Sequence, residues 1–297
     1  MTDKISLIII NKNDRGIANT LAALRAQQKP VSTEILVIDA SHPDVLKDIR
    51  EAYPEVSWHQ FVSKIPNKSS IPEQRNYGIR QASGDIIVFI DANCVPVDGW
   101  LSKLTAPILS GEEEIVSGPF GSVDVSKRIV PVGLSTNEYV TCSGTGNLAF
   151  RKSVWEKVGG FDENFLYGSD VDFTWRCVDA GYRIRSLPEA GVSHDWGSSA
   201  EDIKRFFKYG KARADLLMKH PWRIHEQLFG ESVLVLVYTV WLFGLPVTFV
   251  IPWYPLTLFL IVLKNFNRKP MKTLVLNMVY TLGFLKRILT KKILHLG

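Results

Sequence analysis

Apolar residues occur along this chain in two styles, short runs at the front and one long run near the back. Ile5–Ile10, Ile35–Ile38 and Ile86–Ile90 are rich in β-branched residues and lack polar alternation. That is the pattern of strands buried on both faces. Between them, Ile17, Leu21 and Leu24 form a helical stripe, and Arg75–Gln81 predicts a second helix with Gly84 as its stop signal. Alternating strands and helices predict an α/β fold, a mostly parallel sheet flanked by helices. Such sheets bind ligands beyond the carboxyl ends of their strands. The polar residues that follow each run, Asn11–Asp14, Asp39–Ser41 and Asp91–Asn93, are therefore the first candidates for chemistry. No GxGxxG or GxxxxGK[ST] is present, so neither a dinucleotide fingerprint nor a P-loop is supported.

The back of the chain has a different pattern. Val233–Leu263 is 31 residues without a charged side chain, long enough for a membrane span of about 20 residues. It also contains Gly244, Pro246, Pro252 and Pro255, which interrupt a straight helix. Two readings stay open, one kinked span or a re-entrant hairpin. Thr273–Leu285 is a second, shorter apolar stretch. Lys264, Arg268, Lys269 and Lys272 precede it, and Lys286, Arg287, Lys291 and Lys292 follow. Basic flanks favour the cytoplasmic side. If both flanks lie there, the apolar segments return to the side they left. Ahead of the long run, Ile203, Phe206, Phe207, Leu217 and Met218 fall near helical period among Lys204, Arg205, Lys208, Lys211 and Arg213. This predicts a basic amphipathic helix on a membrane surface, or else a helix packed on protein. Ile5–Ile10 is too short for the apolar core of a secretory leader, and polar residues follow it.

Composition adds one thing the pattern does not show. The 297 residues carry a formal net charge of +5. Residues 201–297 hold 15 Lys/Arg and 5 Asp/Glu, a net of +10, whereas residues 1–200 hold 20 and 25, a net of −5. An acidic front and a basic, apolar back imply two environments. Hydrophobic residues are 46% and charged residues 22%, which excludes a disordered or collagen-like chain. Cys94, Cys142 and Cys177 are far apart and form no CxxC, so neither a disulfide framework nor a metal knuckle is expected. The resulting division is 1–200 as an α/β domain, 201–230 as an amphipathic linker helix, and 231–297 as membrane-associated helices.

Asp91-Ala92-Asn93 places two oxygen ligands two residues apart at a strand end. Hard oxygen donors suit Mg²⁺ or Mn²⁺, whose shells are commonly shared with substrate phosphates. The same pattern is frequent in turns, where Asp and Asn bond their own backbone.

Several segments together resemble family 2 glycosyltransferases, which have the GT-A fold. Ser6–Ile10 resembles that family's first strand. Val37-Ile38-Asp39-Ala40-Ser41 is similar to its "VDxxS" region, Gln74-Arg75-Asn76-Tyr77-Gly78 to "xRNxG", and Asp91-Ala92-Asn93 to its DxD. Gly144–Asn147 with Phe150-Arg151, then Gly159–Glu163, resembles the "GGFDE" block. Gly168–Asp172 resembles "GEDVD", and His194 a late metal-binding histidine. Asn93 replaces the second Asp of DxD and removes one negative charge. Ser169 replaces the Glu of "GEDVD".

The resemblance implies an inverting, metal-assisted transfer of a sugar from a nucleotide-diphospho-sugar to an acceptor hydroxyl, with Mn²⁺ or Mg²⁺. It implies donor contacts by Asn11, Asp39, Ser41, Arg75, Asp91 and Ala92, and metal ligation by Asp91, Asn93 and His194. Asp170 is the implied general base. Trp196 and Asn147 are the implied acceptor contacts. Other readings exist for these residues: Asp39 as a turn residue, Arg75 in an ion pair, Trp196 in core packing. Ser169-x-x-Asp172 also fits a helix capping box.

A membrane-bound enzyme with its catalytic domain on the cytoplasmic face, an anionic lipid surface as partner and a lipid-linked or surface-glycan acceptor joins the two halves. A processive polysaccharide synthase is disfavoured because no QxxRW occurs between Asp202 and Phe229. A non-catalytic nucleotide-sugar-binding scaffold is the alternative outside enzymes. Nucleic acid is not expected, because the basic tail is interleaved with apolar runs rather than solvated.

Overall fold

The structure, a computed structural model, describes residues 3–64, 70–122, 138–194, 199–225, 233–258 and 270–294. It divides into two compact units, Met1–Asp195 and Trp196–Gly297.

The first unit opens with β1 (Ile5–Asn11), α1 (Ile17–Arg25), β2 (Thr33–Asp39), α2 (Lys47–Ala52), β3 (Ser57–Gln60), α3 (Ile71–Gln81) and β4 (Ile86–Ile90). These three β-branched runs are central strands. Consecutive side chains leave them on opposite faces. Ile5, Leu7 and Ile9 pack with Leu21 and Trp100 on one side, while Ile8 packs with Ile79 and Phe150 on the other. Complete burial of each such side chain contributes roughly 1.5–3 kcal/mol, which explains the absence of polar alternation. Helix α3 begins one turn before Arg75. Ser70 caps it by accepting from the Glu73 backbone N–H at 3.4 Å, and Pro72 lies in its first turn.

The chain continues through β5 (Cys94–Pro96), α4 (Trp100–Leu109), β6 (Ile115–Ser117), β7 (Phe120–Ser122), β8 (Tyr139–Val140), β9 (Asn147–Arg151), α5 (Lys152–Val158), α6 (Ser169–Asp179), β10 (Ile184–Ser186) and β11 (Val192–His194). The large sheet runs β3-β2-β1-β4-β9-β6-β10-β8, and a small one runs β5-β11-β7. Strands β3, β2, β1 and β4 are parallel. Strand β9 runs antiparallel to both β4 and β6, and β8 antiparallel to β10. The sheet is therefore mixed: β6 and β10 run with β3, β2, β1 and β4 as expected of a mostly parallel sheet, and β9 and β8 run against them. The parallel register sets Asn11 beside Asp39, and β4 ends level with them, so Asn11, Asp39 and Asp91 emerge at one edge.

The expected capping box is absent. Helix α6 is capped by Gly168 in the left-handed region, φ 79°, so Ser169 already lies in the first turn. Asp172 is fully buried and pairs with Arg176 one turn on, at 2.9 Å.

The second unit contains α7 (Ser199–Lys219), α8 (Val233–Phe243) and α9 (Pro270–Leu294). Helix α7 is the amphipathic helix of the sequence pattern, and it packs against α9. Gly210 lies against the Tyr280 carbonyl and Gly283 against the Phe207 carbonyl, so a Cβ at either position would strike backbone. Arg287 Nε donates to Asp215 at 2.9 Å, and Lys272 pairs with Asp202 at 2.7 Å. Part of the apolar face read as lipid-facing is thus covered by α9, around Ala214 and Phe284. Ile203 and Met218 stay exposed. Among the described residues no helix is long and apolar enough to cross a membrane; α8 stops after eleven residues.

Candidate active site

The site is assembled where β1, β2 and β4 end. Asp39 has no exposed surface, and a buried carboxylate needs partners. Oδ1 accepts from the Ser41 backbone N–H at 3.0 Å, and Oδ2 accepts from Arg50 Nη2 at 2.8 Å. Arg50 also donates to Gln60 Oε1 at 3.0 Å. Gln60 Nε2 in turn donates to the Asp39 carbonyl at 3.1 Å and to the Ser41 carbonyl at 2.7 Å. The Ser41 hydroxyl accepts from the Asn13 N–H at 2.6 Å. This lattice joins the ends of β1, β2 and β3. Beside it, the Asn11 side chain is buried, and neither its amide nitrogen nor its oxygen has a partner among the described residues.

Asp91 begins the second cluster. Loss of water around its carboxyl pushes its pKa up; Arg75 and His194 pull it down, and Asp170 pushes it further up. Three residues, from α3, α6 and β11, thus act on the one carboxyl at the end of β4. Arg75 is buried, donates from Nη1 to Ser169 Oγ at 3.1 Å and lies 5.5 Å from the Phe161 ring centre. Asp170 sits in the first turn of α6, where the helix dipole favours an anion. Its Oδ1 accepts from the Val171 N–H at 2.9 Å, and its Oδ2 faces Gly144, 3.6 Å from where a Cβ would stand. His194 lies on β11 with its ring 5.5 Å from that of Phe120.

The other expected residues are placed differently. Asn93 has φ 60°, a left-handed conformation that Asn tolerates better than most residues. Its side chain lies against Gly16, and its Oδ1 is 3.5 Å from the Asn19 amide. The turn geometry gives a local reason for Asn at this position. Ala92 is packed in the core, which leaves its backbone to meet a ligand. Asn147 is buried; its Nδ2 donates to the Pro119 and Ala190 carbonyls at 3.0 and 2.7 Å, and its Oδ1 accepts from Trp100 at 2.9 Å. Both its amide hydrogens are therefore engaged in joining β9 to its neighbours. Trp196 lies outside the described residues.

The donor set suits a hard divalent ion. Asp91 offers a carboxylate whose desolvation a cation would offset, and His194 acts on that same carboxyl. Among the described residues no group of three His, Cys, Asp or Glu could hold an ion by itself, so oxygen ligands from a bound phosphate would be needed to complete the shell.

The family model for glycosyl transferase family 2 matches residues 6–170, and that for glycosyl transferase family group 2 matches residues 116–286. The chain belongs to glycosyl transferase family 2.

A pre-mycofactocin glycosyltransferase of Mycobacterium tuberculosis is 29% identical over 240 residues, covering 74% of this chain and 48% of that protein. The chain thus spans about half the length of that curated relative. Glycosyltransferase AglE of Haloferax volcanii is 28% identical over 225 residues, covering 72% of this chain and 74% of the relative. Among solved structures, mannosyltransferase PcManGT from Pyrobaculum calidifontis, in complex with GDP-Man and Mn²⁺, aligns with a TM-score of 0.69 at 18% identity. It covers 98% of this chain and 88% of that one. The fold is α/β of the GT-A type, a large mixed sheet flanked by helices.

Two residues of this glycosyltransferase-family site escape a reading of the sequence, and so does the role of a third that lies in a recognised segment. Arg50 and Gln60 brace Asp39 from elsewhere in the chain; the signal was the buried Asp itself, which requires a cation. Asn76 is the third. Its Nδ2 donates to the Phe161 carbonyl at 2.8 Å and to Glu163 at 3.0 Å, and its Oδ1 accepts from Trp155 and from the Phe161 N–H. It holds the Gly159–Glu163 block to α3, one residue from Arg75.

Proposed function

We propose that this chain transfers a sugar from a nucleotide-diphospho-sugar donor to an acceptor hydroxyl, inverting the anomeric centre, with Asp170 as general base. The observation that supports this best is the convergence of Arg75, Asp170 and His194 on the Asp91 carboxyl at the ligand-binding edge of the sheet. PcManGT, with the same fold, is seen with GDP-Man and Mn²⁺.

In this reading the donor's nucleoside end meets Asn11, Asp39 and Ser41. Asn11 brings a buried amide without a partner among the described residues, suited to hydrogen bonding with a ligand. Arg75 places a fixed cation near the diphosphate, oriented by Ser169 and the Phe161 ring. A divalent ion, Mn²⁺ or Mg²⁺, held by Asp91 and His194, would neutralise charge that develops on the leaving diphosphate. The acceptor oxygen attacks the anomeric carbon as the bond from that carbon to the diphosphate oxygen breaks. Asp170 takes the proton from the acceptor hydroxyl, and the nucleoside diphosphate departs. One displacement at one carbon inverts it, so one carboxylate suffices. Gly144 leaves room over Asp170 Oδ2 for that hydroxyl. Trp196 is assigned to the acceptor side.

We place the protein at an anionic membrane on the cytoplasmic face, acting on a lipid-linked or surface-glycan acceptor. The basic, apolar second unit supports this. A screen of nucleotide sugars, measuring released nucleoside diphosphate with and without Mn²⁺, tests the reading. Release from one donor, dependent on acceptor, is expected; no release from any donor would overturn it.

A further inference from the structure

Residues 233–258 contain no charged side chain. Helix α8 within them is eleven residues long, about 16 Å at 1.5 Å per residue. That is about half the hydrocarbon thickness of a bilayer. Tyr238 in its last two turns is buried, and the helix packs against α9. Beyond Gly244 the chain leaves that support and turns through two 3-10 segments, Leu245–Phe249 and Tyr254–Leu256.

The turn closes on itself. The Tyr254 hydroxyl donates to the Trp241 carbonyl at 3.0 Å, and the two rings stack at 6.3 Å and 14°. Trp241 Nε1 donates to the Thr257 hydroxyl at 3.1 Å. Residue 257 is thereby brought back beside residue 241. At the apex Phe249 is 95% exposed, Val250 83% and Trp253 73%, with Phe243 and Leu256 also exposed. Pro246, Pro252 and Pro255 carry no backbone N–H. The N–H groups of Val247, Val250, Ile251, Tyr254 and Leu256 donate to carbonyls within the turn. These internal bonds lower the cost of taking this backbone out of water, which is several kcal/mol for each polar group left without a partner.

We infer that this apex, residues 243–256, inserts as a re-entrant wedge into one leaflet of an anionic bilayer and returns without crossing it. The inference rests on the membrane-facing part of the proposed function and supplies its mode of attachment. Charge selects lipid over a second copy of the chain. In the same unit Lys204, Lys208, Lys211 and Arg213 on α7 and Lys286 on α9 complement anionic headgroups, whereas two identical basic surfaces repel.

The test uses the full chain with Cys142→Ser and Val250→Cys, labelled at position 250 with a nitrobenzoxadiazole fluorophore. It is bound to phosphatidylcholine vesicles containing about one-third phosphatidylglycerol. The label is expected to be quenched by lipids brominated along their chains and shielded from dithionite on either side of the membrane. In a second variant, F249E/V250E, flotation with vesicles is expected to fall about tenfold or more, with thermal midpoint and nucleoside-diphosphate binding unchanged. Reduction of the label by dithionite trapped inside the vesicles would show a span and overturn the inference. Flotation of F249E/V250E equal to wild type would overturn it too, as would a lipid-free dimer in light scattering that this variant abolishes. A chain that floats as expected but releases no nucleoside diphosphate contradicts the catalytic reading alone.

Discussion

Arg75 on α3 and Ser169 at the start of α6 lie 94 residues apart and meet through a 3.1 Å hydrogen bond from guanidinium to hydroxyl. The acceptor is neutral, so it orients the cation without cancelling it. Arg75 therefore keeps its full charge for Asp91, whose carboxyl it pulls down, and for an anionic ligand. Asp170 follows Ser169 directly, so one helix start fixes both the cation and the proposed base.

Ser169→Ala removes that partner from a buried guanidinium whose Nε already lacks one among the described residues. A hydrogen bond to a charged group contributes about 1.5–3 kcal/mol, and urea unfolding should show a loss of that size. Ser169→Glu adds a third carboxylate to Asp91 and Asp170, and calorimetric titration should show weaker binding of nucleoside diphosphate.

Arg176 pairs with the fully buried Asp172 at 2.9 Å and donates to the Val158 and Gly160 carbonyls, both at 2.6 Å. Arg176→Met removes this ion pair from a buried carboxylate, and denaturation should show a loss of about 3–5 kcal/mol. The double variant Arg176→Met with Asp172→Leu should recover much of that loss in the same denaturation measurement.

Much of this was legible in the sequence, for a physical reason. Strands buried on both faces leave a signal in each residue, so Ile5–Ile10, Ile35–Ile38 and Ile86–Ile90 read directly as β1, β2 and β4. Strands β6, β7, β10 and β11 have three residues each, too short for any period to register. The reversal of β9 that makes the sheet mixed is a tertiary choice. Within the site, Asp39 and Asp91 showed as polar residues at strand ends. Arg50 and Gln60 did not, because their role exists only once β2 and β3 are paired. The apolar stripe of α7 was visible, but its partner was not, since the crossing at Gly210 and Gly283 joins distant segments.

Glu34 gives a pH dependence. Desolvation pushes its carboxyl up, but hydrogen bonds from the Ser6 hydroxyl and the Ser83 backbone and hydroxyl, with the Lys4 charge, pull it down and prevail. A lowered folded value contributes stability that is complete above the unfolded pKa of about 4.3. That stability is lost as pH falls through the folded value. Urea midpoints measured downward from neutral pH should fall below about pH 5 and fall less steeply in Glu34→Gln.

The thiols should react unequally. Burial pushes Cys177 up to about 12, and burial with the nearby Asp91 charge raises Cys94 as well. Cys142 is half-buried, so in native protein near pH 8 it alone should react quickly with a disulfide reagent. Cys94 and Cys177 should follow only on denaturation. Rapid reaction of all three would contradict their burial.

The most direct test of the central claim is the steady-state rate of Asp170→Asn with its donor and acceptor, measured beside donor binding. The amide keeps the side chain's size but cannot take the acceptor's proton. The account predicts that kcat falls by about 10²–10⁴-fold while binding of the nucleotide sugar stays as in the wild type. Turnover within a few-fold of wild type would contradict Asp170 as the base.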